Sequence, residues 1–135
     1  MKQIKNTWVN PPTDYEGFAG FVYCVTELDT GMKYIGIKRL WKTLKLKPLK
    51  GKKNKRHKRV ESDWRTYNTS NKELQVKLAN NPLNYEKKVL TCCLTVTDLK
   101  AMEAYMQLQY YFDGYWDSLY NEMIHLRIRI RKTKK

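Results

Sequence analysis

Residues 20–37, GFVYCVTELDTGMKYIGI, decide the fold. The first eight are rich in β-branched and aromatic residues, so Gly20 to Glu27 reads as a strand. Asp29-Thr30-Gly31 is a turn signal, and Lys33 to Ile37 reads as the returning antiparallel partner. Gly36 weakens that second strand, which points to a bulge or to close approach of another backbone or a ligand.

Outward from this hairpin, Asn10-Pro11-Pro12 ends an irregular N-terminal arm. Asn71 to Ala79 combines helix formers with Leu74 and Leu78 one turn apart, and Asn80-Asn81-Pro82 stops it. Tyr85 to Thr95 reads as a third strand. Thr97 and Asp98 then start the longest helix, ending at Phe112, with Leu99, Met102, Tyr105, Met106, Gln109 and Tyr110 near one face. The order strand, strand, helix, strand, helix predicts an α/β fold of the α+β type, a small three-stranded antiparallel sheet flanked by helices.

Of 135 residues, 41% are hydrophobic and 13% aromatic, enough for one core and hence one domain over 1–135. The net charge of +14 is local: Lys38 to Arg59 holds 12 of the 27 basic residues and no acidic one. This basic insert, 38–59, broken by Pro48 and Gly51, and a basic tail, 126–135, are expected to contact a polyanion, because like-charge blocks repel themselves until one orders them. Lys38, Arg39, Lys50, Lys52, Lys53, Lys55, Arg56 and Lys58, with Arg127, Arg129 and Arg131, are the expected nucleic-acid contacts, neutralising phosphates without reading sequence. Double-stranded DNA is the expected partner, with RNA left open, for a monomer or a homodimer. Trp64 is assigned to the core.

Cys24, Cys92 and Cys93 form no CxxC pair and have no His at ligand spacing, which argues against a zinc site. No apolar run approaches the roughly 20 residues of a membrane span, and Met1 to Val9 lacks the apolar region of a secretory signal. A cytoplasmic location is therefore expected, and no membrane partner.

Phe21-Val22-Tyr23, a turn, and Tyr34-Ile35-Gly36 resemble the paired motif of the GIY-YIG nuclease superfamily. The second half is intact, while the first keeps only its Tyr. Glu103 on a helix and Tyr120-Asn121 beyond it extend the likeness in the family's order. Glu61 to Tyr67, with the preceding basic block and the residues from Asn121 onward, is also similar to small GIY-YIG proteins encoded by bacteriophages, which would place the chain in the cytoplasm of a bacterial host.

The resemblance implies a metal-dependent endonuclease hydrolysing phosphodiester bonds in DNA with one Mg²⁺ or Mn²⁺. In that scheme Tyr23 activates the attacking water with Tyr34 beside it, Glu103 holds the ion, and Asn121 braces the site by hydrogen bonds. A phenol ionises near pH 10, so such a base needs a neighbouring cation. The family's arginine position is displaced by the basic insert; Arg59 or Arg56 is favoured for it, and Arg39 remains a candidate. His57 and Tyr67 are candidates for the accompanying proton acceptor. Two other readings stand beside this one: a non-catalytic nucleic-acid binder on the same fold, and a phage host-takeover protein docking on an acidic partner.

Overall fold

The computed structural model describes residues 7–54 and 56–128. The elements are β1 (Trp8–Val9), β2 (Gly20–Glu27), β3 (Lys33–Arg39), β4 (Trp41–Leu46), β5 (Arg56–Glu61), α1 (Lys72–Asn80), β6 (Tyr85–Cys93) and α2 (Val96–Phe112), with 3-10 turns at Pro82–Asn84 and Trp116–Ser118. The fold is α+β, as the sequence leads one to expect.

The β2–β3 hairpin forms in the expected place, with Tyr23 opposite Gly36 and Val25 opposite Tyr34. Gly31 takes φ +77° in its turn, a conformation that glycine adopts without a Cβ penalty. β6 lies antiparallel on the other side of β2, with a register shift beside Tyr23. β2 is thus central and buried on both faces, which is why GFVYCVTE reads as an almost unbroken apolar run.

The sheet departs from the expectation in having four strands, ordered β1-β6-β2-β3. β1 pairs parallel to β6, Trp8 against Lys87 and Val9 against Lys88, so the arm is not wholly irregular. Its anchor is Trp8, whose ring meets Phe21 and Tyr23 edge-on at 5.2 and 5.4 Å and whose Nε1 donates to the Trp64 carbonyl. Two strand residues carry too little local pattern to be seen without that distant partner.

Alternation along β2 builds two cores. Phe21, Tyr23 and Val25 face Trp8, Trp64, Leu74 and Leu78. Val22 and Cys24 face the other way, with Ile35 and Cys93, toward Leu99 of α2. Trp64 is buried, as assigned. Helix α2 starts one residue earlier than expected, because the Thr95 side chain rather than Thr97 accepts the Asp98 N–H. Its sheet-facing stripe includes Leu99, Met102 and Met106, while Tyr105 and Gln109 turn outward.

The insert is the second departure. Where the expected element order has no strand, β4 and β5 pair antiparallel over six registers, from Trp41 opposite Glu61 to Leu46 opposite Arg56. A narrow neck joins this ribbon to the sheet. The Leu40 N–H donates to Ala19, the Ser62 N–H to Leu40, and the Ser62 hydroxyl to Arg39.

Candidate active site and nucleic-acid interface

Tyr23 sits at the centre of β2 with no exposed surface. Its side chain crosses its partner Gly36 so closely that a Cβ there would fall 2.6 Å from the phenolic oxygen. The closeness inferred at Gly36 is therefore real, but the occupant is this tyrosine and not a ligand or a bulge. The Tyr23 hydroxyl accepts the Ser70 N–H at 3.3 Å and donates to Thr69 Oγ1 at 3.5 Å. Burial, reinforced by Tyr67, pushes the phenol far above its ordinary pKa, so at neutral pH it is a hydrogen-bonding group and not a phenolate.

Tyr34, two residues before Gly36 on β3, shares the face of Tyr23, their rings 6.3 Å apart. It is half-buried, and its hydroxyl shares a 2.8 Å hydrogen bond with Ser70 Oγ. Desolvation raises this phenol also, with the Glu103 carboxylate adding to the effect.

Both phenols thus close on Thr69 and Ser70, in the loop between β5 and α1. That loop is held at several points. Asn71 caps α1 by accepting the Leu74 N–H, Gln75 Nε2 donates to the Thr69 carbonyl, and the buried Lys87 amine donates to the Tyr67 carbonyl and to Asn68 Oδ1, both at 2.9 Å. Reading the sequence missed Thr69 and Ser70. A signal was present, since a Thr-Ser-Asn run before a helical stretch marks a capped helix start.

Glu103 projects from α2, half-buried, with no hydrogen bond or ion pair among the described residues. Desolvation raises its carboxyl pKa, and the nearby His125 opposes that shift. Asn121 lies at the outer edge of β3, where its Oδ1 accepts the Ile35 N–H at 2.9 Å and its Nδ2 donates to the Ile35 carbonyl at 2.8 Å. Its amide completes that edge as a neighbouring strand would, beside the Tyr120 N–H bonded to the Lys33 carbonyl. Tyr34, Asn71, Asn121 and His125 line one open cleft of roughly 460 Å³. His125 is a third residue that sequence reasoning did not single out.

The arginines lie elsewhere. Arg59 stacks on Trp41, 3.8 Å from the ring centroid, and bonds the Glu16 carboxylate and carbonyl. Arg56 is exposed near the ribbon tip, its Nε directed at the Lys47 carbonyl, and Arg39 is exposed at the end of β3. His57 also lies on the ribbon. The cations at Tyr67 and Tyr120 are lysines, while Arg65, not among the expected arginines, lies 4.6 Å over the Trp64 ring and donates to the Tyr15 hydroxyl. Lys38 sits 4.1 Å over the Tyr67 ring and pairs with Asp63 at 2.7 Å, and Lys77 donates to the Tyr120 hydroxyl at 3.2 Å. Tyr67 packs edge-on to Tyr23 at 6.0 Å.

Among the expected phosphate contacts, Lys50, Lys52, Lys53, Arg56 and Lys58 are exposed on the ribbon, and Arg127 is exposed near the end of the described chain. Lys55, Arg129 and Arg131 lie outside the described residues. Among the described residues no helix is long and apolar enough to cross a membrane.

A hairpin presenting two tyrosines, backed by a helix bearing a glutamate and edged by an asparagine, is the arrangement of a GIY-YIG nuclease domain. More narrowly, residues 5–112 match the family described as "Putative endonuclease segE, GIY-YIG domain", and the chain belongs to that family. Neither a curated protein nor a solved structure matches it.

Proposed function

We propose that this protein is a DNA endonuclease that hydrolyses phosphodiester bonds with one Mg²⁺ or Mn²⁺ ion. The observation that carries the reading is that Tyr34, Asn121 and His125 line one open cleft at the outer edge of β3, with the half-buried Glu103 of α2 close enough to act electrostatically on Tyr34 and His125. Family membership supports the endonuclease part of this reading.

The residues present fit such an ion. Glu103 offers a hard oxygen free of other partners among the described residues, and one turn on, the buried Gln107 Oε1 is likewise unpartnered. Among the described residues no three His, Cys, Asp or Glu cluster closely enough to form a cage. Mg²⁺ needs none, since it keeps several waters and binds through one or two carboxylates plus substrate phosphates. Glu103 would hold the ion, which supplies charge stabilisation at the scissile phosphate and leaving oxygen.

The chain's own groups do the rest. Tyr34 presents its hydroxyl to the cleft, where it orients the attacking water. Tyr23, which the resemblance casts as the activating base, serves instead as a neutral tie between β2 and the Thr69-Ser70 loop, because its oxygen is buried and its ionisation suppressed. Asn121 fixes the backbone on which Tyr34 is carried. Lys38 supplies positive charge over the Tyr67 ring, which packs edge-on to Tyr23, where the family uses arginine.

The buried Tyr23 hydroxyl and the distant arginines favour a second reading, a nucleic-acid binder without activity. Supercoiled plasmid incubated with Mg²⁺, Mn²⁺ or EDTA separates the two. Metal-dependent nicking or linearisation is expected, lost in Glu103→Ala while DNA affinity remains. A gel shift without cleavage in any metal would establish the binder instead.

A further inference from the structure

The ribbon has no part in the cleft. β4 and β5 meet the rest of the fold mainly at their base, where Trp41 Nε1 donates to the Phe18 carbonyl and Arg59 bonds Glu16. Beyond that base Thr43, Lys45, His57 and Lys58 are exposed, as are Lys47, Lys50, Lys52 and Lys53 toward the tip. The only acid on either strand is Glu61, at the base and bonded to Tyr15 and Arg65. A two-stranded hairpin is marginal in water, and no acidic side chain faces any cation across this one, so its positive charge is left uncompensated. Such a ribbon is stabilised when a polyanion lies along it.

Resting on the DNA-nuclease reading above, we propose that the β4–β5 ribbon enters the major groove of duplex DNA. The size selects that groove. Paired strands stand about 4.8 Å apart, and with side chains the ribbon fits a groove about 12 Å wide but not one of about 6 Å. Six-residue strands reach about 20 Å, enough to follow base edges over several pairs.

The two rows of side chains differ. One carries Thr43, Lys45, His57 and Arg59, with Arg59 drawn back onto Trp41. The other carries Leu44 and Leu46 beside Arg56 and Lys58. Leu44 is 41% exposed, an apolar side chain free to meet a thymine methyl, and Arg56 and Lys58 beside it are the side chains that pair with guanine O6 and N7. The leucine row faces the base edges, and Lys45 with the tip lysines meets the flanking phosphates.

The test uses the full chain with duplex DNA in gel-shift and interference assays. One variant replaces residues 45–57 by Asn-Gly, so that the paired Leu44 and Lys58 flank a two-residue turn. A second, Arg56→Gln with Lys58→Gln, keeps the ribbon and guards against misfolding. The wild type is expected to be blocked by methylation of particular guanine N7 atoms and to be indifferent to a minor-groove ligand of the distamycin type. Both variants lose that methylation pattern. The shortened one binds at least about tenfold more weakly, with a salt dependence reduced by roughly 0.9 per phosphate contact removed. Displacement of the wild type by the minor-groove ligand, or an unchanged methylation pattern in the variants, overturns the proposal. Ribbon-dependent N7 interference without plasmid cleavage would leave the groove assignment standing while the nuclease reading fell. No binding to duplex DNA would end both.

Discussion

The phenol of Tyr23 lies across Gly36, its cross-strand partner, leaving no room for a β-carbon. The intact half of the paired motif thus requires its glycine for the packing of the tyrosine in the other half. Gly36→Ala would place a methyl 2.6 Å from the Tyr23 oxygen and 2.8 Å from its ring carbon Cζ. Overpacking of this kind costs about 1–3 kcal/mol. Urea denaturation should show that loss, and the cost should shrink when Tyr23→Leu is added. A Gly36→Ala protein as stable as the wild type would refute the relationship.

Asn121 satisfies both edge groups of Ile35. Replacement by Leu removes donor and acceptor together, with an expected loss of about 1–3 kcal/mol. Asn121→Asp keeps an acceptor for the Ile35 N–H. Hydrogen exchange read at the Ile35 amide should therefore accelerate strongly in Asn121→Leu and little in Asn121→Asp; equal acceleration would argue against the bidentate contact.

Glu103 is raised by burial and lowered by His125. In the metal-free protein, NMR titration of its carboxyl should give a midpoint above the ordinary glutamate value of about 4.3. His125→Ala removes the opposing charge, so the midpoint should move higher still. A midpoint insensitive to that change would separate the two side chains.

Lys87 is buried beneath the 67–70 loop, and desolvation lowers its pKa to about 8. In the unfolded chain lysine titrates near 10.4, so between those values the unfolded state binds more protons and stability rises with pH. The cost of burying its charge is present below about pH 8 and is relieved as pH climbs toward 10. Cysteines raised by burial act in the opposite sense over part of this range. The measurement is therefore the difference between wild type and Lys87→Met, which should change by up to ~3 kcal/mol across the window. A flat difference would mean that Lys87 titrates as an exposed amine.

How much of this was legible in the sequence depended on how local each signal was. The β2–β3 hairpin and α2 carry their own periodicity, so composition and spacing located both to within a residue or two. β1 is two residues long and exists through Trp8 meeting Phe21 and Tyr23, a contact no window contains. The ribbon hid because lysines occupy both of its rows, erasing the apolar alternation that marks a half-buried strand. At the site, Tyr34, Glu103 and Asn121 were reachable through motif order. Thr69 and Ser70 became visible only when the chain folded back on the hairpin, and the expected arginines were drawn onto Trp41 and the ribbon tip.

The neck at Leu40 and Ser62 sets how the two halves of this molecule can change. Because those residues close on each other and on Ala19, whatever the chain does between them returns to the same point, and the tyrosines keep their places whichever hairpin is strung there. The ribbon is in this sense an exchangeable head on a fixed cutting body. If the ribbon enters the groove as proposed, a lineage could retune which DNA is engaged by altering residues 42–58 alone, leaving Trp41, Arg59 and Glu61 at the base and the packing around Tyr23 as they are.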